Sequence, residues 1–252
     1  MSPKLLICGM EHTGTTLISD LFRQIPGLDS GFEVGVLLRS SPREFKGLEP
    51  FYSNILKGWG ITEDELAHCC DTDDFGEYYD RLMKVSRSLT DDTTIIFDKT
   101  PRYLAELSNV LKRSICPIVV SHKDPRAIVC SDFKRAKTDD FSAWYTDYRQ
   151  PKLNYMQTCY NAFIENSDNP RVATVGLEEL AMNSRATMER MFAHVGEHFE
   201  LSYAIIDTIR YKNVKNRTVS ADIAFEFKSK LDASQQKIIL DDFGKFNAWV
   251  YD

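Results

Sequence analysis

No stretch of this 252-residue chain is apolar for long enough to cross a bilayer as a helix, which takes about 20 residues. A secretory leader is not expected, because the first strand-like run starts almost at Met1. The expected location is therefore the cytoplasm, without membrane insertion, and the sequon Asn216-Arg217-Thr218 reads as accidental. Positive charge is not in excess: 31 Lys and Arg face 37 Asp and Glu, for a net charge of −6. That balance argues against a nucleic-acid partner, and an anionic ligand would need a locally basic site. None of the six cysteines forms a C-x-x-C pair, so no metal is expected and the thiols read as small apolar packing groups. Repeats, low-complexity segments and linkers are missing too, so residues 1–252 read as one domain.

What the chain does have is apolar runs alternating with helical patterns. Residues 5–9, 94–97, 117–121 and 172–175 are rich in Ile, Val or Leu and show little alternation, as strands covered on both faces do. A weaker fifth strand is expected at 31–34. Helices are expected at 17–25, at 104–111 after Thr100-Pro101, and at 127–136. A fourth carries Met188, Met191, Phe192 and Val195 on one face, with Ser184 as its cap. Such alternation implies a parallel sheet with right-handed crossovers. The aromatic, mixed-charge stretches 42–89 and 141–163 read as helical insertions around the mouth of that sheet.

The first strand runs into Gly9-Met-Glu-His-Thr-Gly-Thr-Thr16. Gly9, Gly14 and Thr16 fit the phosphate-binding pattern G-x-x-x-x-G-K-[ST], but Thr15 stands where the lysine belongs. Glycines let the backbone turn tightly, and the free N–H groups at the following helix start bind an anion. Ligands of open parallel sheets sit at the carboxyl ends of the strands. That rule gathers His12, Lys99, Lys123 and Arg126, with Glu33 and Ser131, toward one crevice suited to a polyanion. Each also admits a plain role, as loop residue, ion-pair partner or helix filler. His122 reads as a strand-end filler, and Asp71-Thr72-Asp73-Asp74 as a solvated turn.

Taken together, these residues resemble the sulfotransferases that use 3′-phosphoadenosine 5′-phosphosulfate. Glu11-His12-Thr13-Gly14-Thr15-Thr16-Leu17 is similar to that family's P-[RK]-S-G-T-T-L loop, and Asp98-Lys99-Thr100-Pro101 to its E-K-[ST]-P segment. Lys123-Asp124-Pro125-Arg126 with Ser131 matches R-[DN]-P-R and a serine eight places on, while Leu177-Glu178-Glu179-Leu180 matches Y-E-D-L. The resemblance spans roughly residues 4–200. It implies a three-layer α/β fold of the P-loop NTPase kind, with a central parallel sheet of about five strands flanked by helices. It implies that Thr13, Gly14, Thr15 and Thr16 hold the 5′-phosphosulfate, and that Lys123 and Ser131 hold the 3′-phosphate. Lys99 would offset charge at the sulfuryl group, Glu33 would serve as general base, and no metal would be needed. Lys212, Lys215 or Arg217 would supply a basic loop over the nucleotide.

Two positions depart from the family. His12 stands where most members have lysine or arginine; beside a dianionic donor its pKa is expected to rise, so that as a donor-binding and catalytic residue it could still protonate the leaving oxygen. Lys123 replaces an arginine, losing the bidentate fork but keeping the charge. The missing loop lysine disfavours the alternative of an atypical P-loop kinase; a non-catalytic nucleotide-binding relative is the other alternative. The acceptor, whether small molecule, carbohydrate or peptide, is not legible, and self-association is left open.

Overall fold

The computed structural model describes residues 2–204 and 220–251, so Lys212, Lys215, Arg217 and the sequon lie outside the described residues. Among the described residues there are six short strands: β1 (Leu6–Gly9), β2 (Leu28–Asp29), β3 (Ile95–Ile96), β4 (Asp98–Lys99), β5 (Ile118–His122) and β6 (Val172–Gly176). Four of them form a parallel sheet in the order β4-β1-β5-β6, and β2 pairs parallel with β3. Only Phe97 separates β3 from β4. Its N–H donates to Asp29 O at 3.1 Å, and the next N–H, of Asp98, donates to Leu5 O at 3.1 Å. The expected strand at 94–97 is thus one chain segment that changes partner midway, which joins the two sheets into a five-stranded surface.

The fifth strand itself lies at Leu28–Asp29, not at 31–34. Gly31–Val34 is diverted from the ladder by closer partners. The Trp59 indole N–H donates to Phe32 O at 2.7 Å, and a Cβ on Gly31 would sit 2.5 Å from the same ring. The Val34 N–H goes to the Thr100 hydroxyl.

Alternate strand residues face opposite layers, as the period of two requires. Leu5, Ile7, Val119 and Val175 join α1 (Thr15–Phe22), through Ile18, Leu21 and Phe22. Leu6, Cys8, Ile118 and Val120 face the other layer. That layer includes α2 (Phe51–Trp59), α3 (Glu63–Cys70), α4 (Phe75–Val85), α5 (Leu107–Arg113), α6 (Pro125–Ala136) and α7 (Phe141–Asn166). The expected insertions are therefore helical. Beyond β6, α8 (Leu177–Met182) leads to α9 (Ser184–His194), whose Met188, Met191 and Phe192 cover the same face as α1.

Ser184 does not cap α9. Its hydroxyl donates to Leu180 O at 2.8 Å, because only Asn183 separates α8 from α9 and the end of α8 offers a nearer carbonyl. The six cysteines are free thiols, and five are buried. Among the described residues no helix is long and apolar enough to cross a membrane, and no cluster of His, Cys, Asp and Glu is arranged to hold a metal ion. Asp71 and Asp73 pair with Arg43, and Asp74 caps α4 through the Glu77 N–H, so the acidic turn is structural.

Candidate active site

The glycine loop is shaped by three close contacts. The Thr13 N–H and hydroxyl both donate to Met10 O, the hydroxyl at 2.7 Å, and Ser121 on β5 donates its hydroxyl to Thr13 O. His12 and Gly14 take positive φ, 72° and 91°, which folds the amides that follow onto one side. Gly14 caps α1 without any side-chain hydrogen bond. The N–H groups of Gly14, Thr15, Thr16 and Leu17 consequently meet no acceptor among the described residues. Four convergent donors at a helix start form an anion cradle.

Gly9 keeps this loop against the sheet. A Cβ there would lie 2.5 Å from Ser121 O and 2.7 Å from Thr13 Oγ1, and the first of these is backbone that cannot turn aside. Gly9→Ala is expected to cost about 1–3 kcal/mol in chemical denaturation. Anion affinity at the loop should fall as well. Unfolding and anion binding both equal to wild type would show that the loop does not depend on this contact.

β4 brings Lys99 beside that cradle, since Lys99 is in register with Ile7 two residues before Gly9. Lys99 is 4% exposed; its Nζ lies 2.9 Å from Glu33 Oε1 and 5.0 Å from the centre of the Phe32 ring. Glu33 is held there through backbone. The Thr100 hydroxyl accepts the N–H groups of Val34 and Gly35 at 3.1 and 3.2 Å and donates to Asp98 Oδ1 at 2.8 Å. Asp98 is fully buried and also accepts the hydroxyls of Tyr79 and Tyr103. Burial raises its pKa, and these hydrogen bonds oppose the rise. The motif Asp98-Lys99-Thr100 thus points one residue at the crevice and two at the loop that carries Glu33. The sequence suggested no role for Asp98 or Thr100, because both act on backbone far away in the chain.

Lys123 follows β5 and is 5% exposed. Its ammonium makes no hydrogen bond to the described residues, and burial lowers its pKa against the opposing pull of Glu178. Burial raises the Glu178 carboxyl, which accepts the Asp124 N–H through Oε1 and leaves Oε2 buried without a partner. Ser131, two turns along α6, receives a hydrogen bond from Arg135 at 2.8 Å. Arg135 also acts electrostatically on Lys123 and His12, so it extends the basic edge of the crevice. Its i+4 spacing from Ser131 was the available signal.

Arg126 is engaged by its own neighbours. Its guanidinium makes two bonds to Asp124, donates to Tyr251 O, and stacks 4.5 Å over Phe227. Asp124 caps α6 through the Arg126 N–H, which places the two charges side by side. His122 is buried among Phe163, Trp249 and Tyr251, a filler as expected.

His12 is exposed on the loop, with Nε2 3.5 Å from Asp132 Oδ1. In the free protein its pKa is lowered, first by burial and then by Arg135 and Lys152, against the pull of Asp132. The expected rise therefore has no counterpart before a donor is bound.

The sulfotransferase family matches residues 3–200. No curated protein matches. Among solved structures, the sulfotransferase domain from the Synechococcus PCC 7002 olefin synthase is similar at a TM-score of 0.63 and 17% identity, over 98% of this chain and 94% of that one. The sulfotransferase domain from the curacin biosynthetic pathway has the same TM-score at 11% identity, over 97% and 98%. Retinol dehydratase in complex with androsterone and the inactive cofactor PAP is similar at 0.51 and 11% identity, over 99% and 82%. At these identities the structural likenesses bear on the fold, and the match over residues 3–200 bears on the family: the chain belongs to the sulfotransferase family.

Proposed function

We propose that this protein transfers the sulfuryl group of 3′-phosphoadenosine 5′-phosphosulfate to a hydroxyl or amine of a small-molecule, carbohydrate or peptide acceptor. The observation that carries this reading is the Lys99–Glu33 pair, 2.9 Å apart beside four unpaired loop amides. The donor's chemistry fits the residues present. The amides of 14–17 suit the 5′-phosphosulfate, and the buried, unpaired Lys123 with Ser131 and Arg135 suits the 3′-phosphate that distinguishes this donor from ATP. The retinol dehydratase structure holds PAP, the form this donor takes once it has lost its sulfuryl group.

Transfer is an in-line displacement, so catalysis rests on positioning and charge. The acceptor oxygen attacks sulfur while its proton passes to Glu33. The bond from sulfur to the bridging oxygen breaks, and its electron pair stays on the 5′-phosphate. Lys99 offsets the charge that builds on the sulfuryl and bridging oxygens, and its own burial strengthens that interaction.

Thermal unfolding with nucleotides tests the donor assignment. Adenosine 3′,5′-bisphosphate at about 100 times its Kd is expected to raise Tm by roughly 5 °C or more, and ATP to do less. The larger shift with ATP would favour the kinase alternative. Labelled donor with an acceptor panel then tests transfer; binding without turnover on any acceptor would leave a nucleotide-binding relative.

A further inference from the structure

Helix α7 lays Tyr148, Lys152 and Tyr155 along one face, at i, i+4 and i+7. All three reach the glycine loop or its neighbour on α6. Tyr155 donates to Glu11 Oε1 at 3.2 Å. Tyr148 donates to Asp132 Oδ2 at 2.7 Å, and Lys152 Nζ lies 2.8 Å from the same oxygen. The other oxygen of Asp132 faces His12 at 3.5 Å. The Lys152 and Asp132 side chains are only 12% and 14% exposed. One carboxylate thus gathers a lysine, a histidine and a tyrosine at the mouth of the anion cradle.

The cradle lacks the cation its motif would normally carry. Thr15 replaces the lysine, and the family's basic residue at position 12 is a histidine, whose pKa is lowered here, first by burial. We propose that Lys152 is the displaced cation of this loop: it rests on Asp132 in the free protein and turns to the anionic group held at residues 13–16, as a donor-binding residue. This assignment rests on the sulfotransferase reading above. A lysine suits the exchange, because its four-carbon stem carries a compact charge through several rotamers without demanding a fixed fork. Asp132 keeps Tyr148 and His12 after the exchange, so its carboxylate is not left unpaired. The position is reached from a helix, which explains why nothing in the loop's own sequence announces it.

The sign of two substitutions separates this role from a structural ion pair. Calorimetric titration with adenosine 3′,5′-bisphosphate is expected to show Lys152→Met weakened about tenfold or more, and Lys152→Arg within about threefold of wild type. Asp132→Asn should instead tighten binding about twofold to fivefold, because it removes a negative charge that competes with the ligand for Lys152. A purely structural pair is broken from either side, so both variants would then move affinity the same way, and that outcome overturns the proposal. Affinity unchanged in Lys152→Met overturns it as well. Unliganded melting curves establish that each variant folds, with Lys152→Gln in place of Lys152→Met if the latter does not. A wild-type chain that ignores the bisphosphate removes the donor reading and this inference together; wild-type binding with same-sign variants removes only the role of Lys152.

Discussion

Lys99→Met is expected to lower kcat by about 10²–10³-fold, the usual loss when one fixed charge-stabilising group is removed. Methionine keeps the apolar stem over Phe32 and removes only the ammonium. Ground-state binding should change little, because the proposed function assigns the donor's two anionic ends to the loop amides and Lys123. Glu33→Gln is expected to lose about 10²–10⁴-fold through the missing proton acceptor. The two groups stand 2.9 Å apart and would serve one transition state, so the double variant should fall well short of the product of the single losses. Stability is the discriminating control. Glu33 retains 22% exposure, so water can take over its free oxygen when the ammonium is gone, and the melting temperature should fall only modestly. A Lys99→Met variant with kcat within threefold of wild type, and the stability loss alone, would make the pair a structural tie and end its catalytic assignment.

How much of this was legible depended on where each residue's partners lie. The strands were readable because runs such as Leu5-Leu6-Ile7-Cys8 and Ile118-Val119-Val120 are apolar on both faces. The glycine loop was readable because Gly9 and Gly14 each satisfy a backbone need, a close approach in one case and a positive φ in the other. Lys99 and Glu33 followed from the rule that sites gather at strand ends, although the strand drawn through Glu33 was misplaced. Its real constraint, the Thr100 hydroxyl on the Val34 and Gly35 amides, spans more than 60 residues and carries no local mark. Arg126 was misread for the opposite reason. Its partner Asp124 is only two residues away, and a cap that close absorbs the guanidinium before it can face a ligand. Asp132 and Lys152 could not be paired from sequence, because they sit on different helices and only the packing of α7 against α6 brings them together.

Acid is expected to destabilise this protein through His122, by about 3 kcal/mol between pH 6.5 and about 4. Burial among Phe163, Trp249 and Tyr251, with a smaller contribution from the Arg190 charge, lowers the imidazole's pKa to about 4. The unfolded chain takes up a proton as pH falls through 6.5, while the folded chain does not until about 4. Stability conferred by the neutral ring is therefore complete above pH 6.5, lost progressively down to about 4, and constant in this respect below that. Nδ1 is buried without a hydrogen-bond partner, so no neighbouring acceptor rewards protonation. Lys123 is the next residue and is itself buried, so a charged His122 would add a second cation at the end of β5. His122→Phe keeps an aromatic ring in the stack and removes the titration. Denaturant unfolding at stepped pH should show this variant losing less stability than wild type on the acid side, with similar m values. An unchanged acid limb in His122→Phe, or imidazole proton resonances of His122 that titrate above pH 6 in the native protein, would show that the ring charges freely and that acid acts elsewhere. The ring's place follows from strand geometry: β5 ends by turning His122 into the aromatic layer and the next residue, Lys123, the other way, so two neighbouring buried side chains would both be cations if the ring took up a proton.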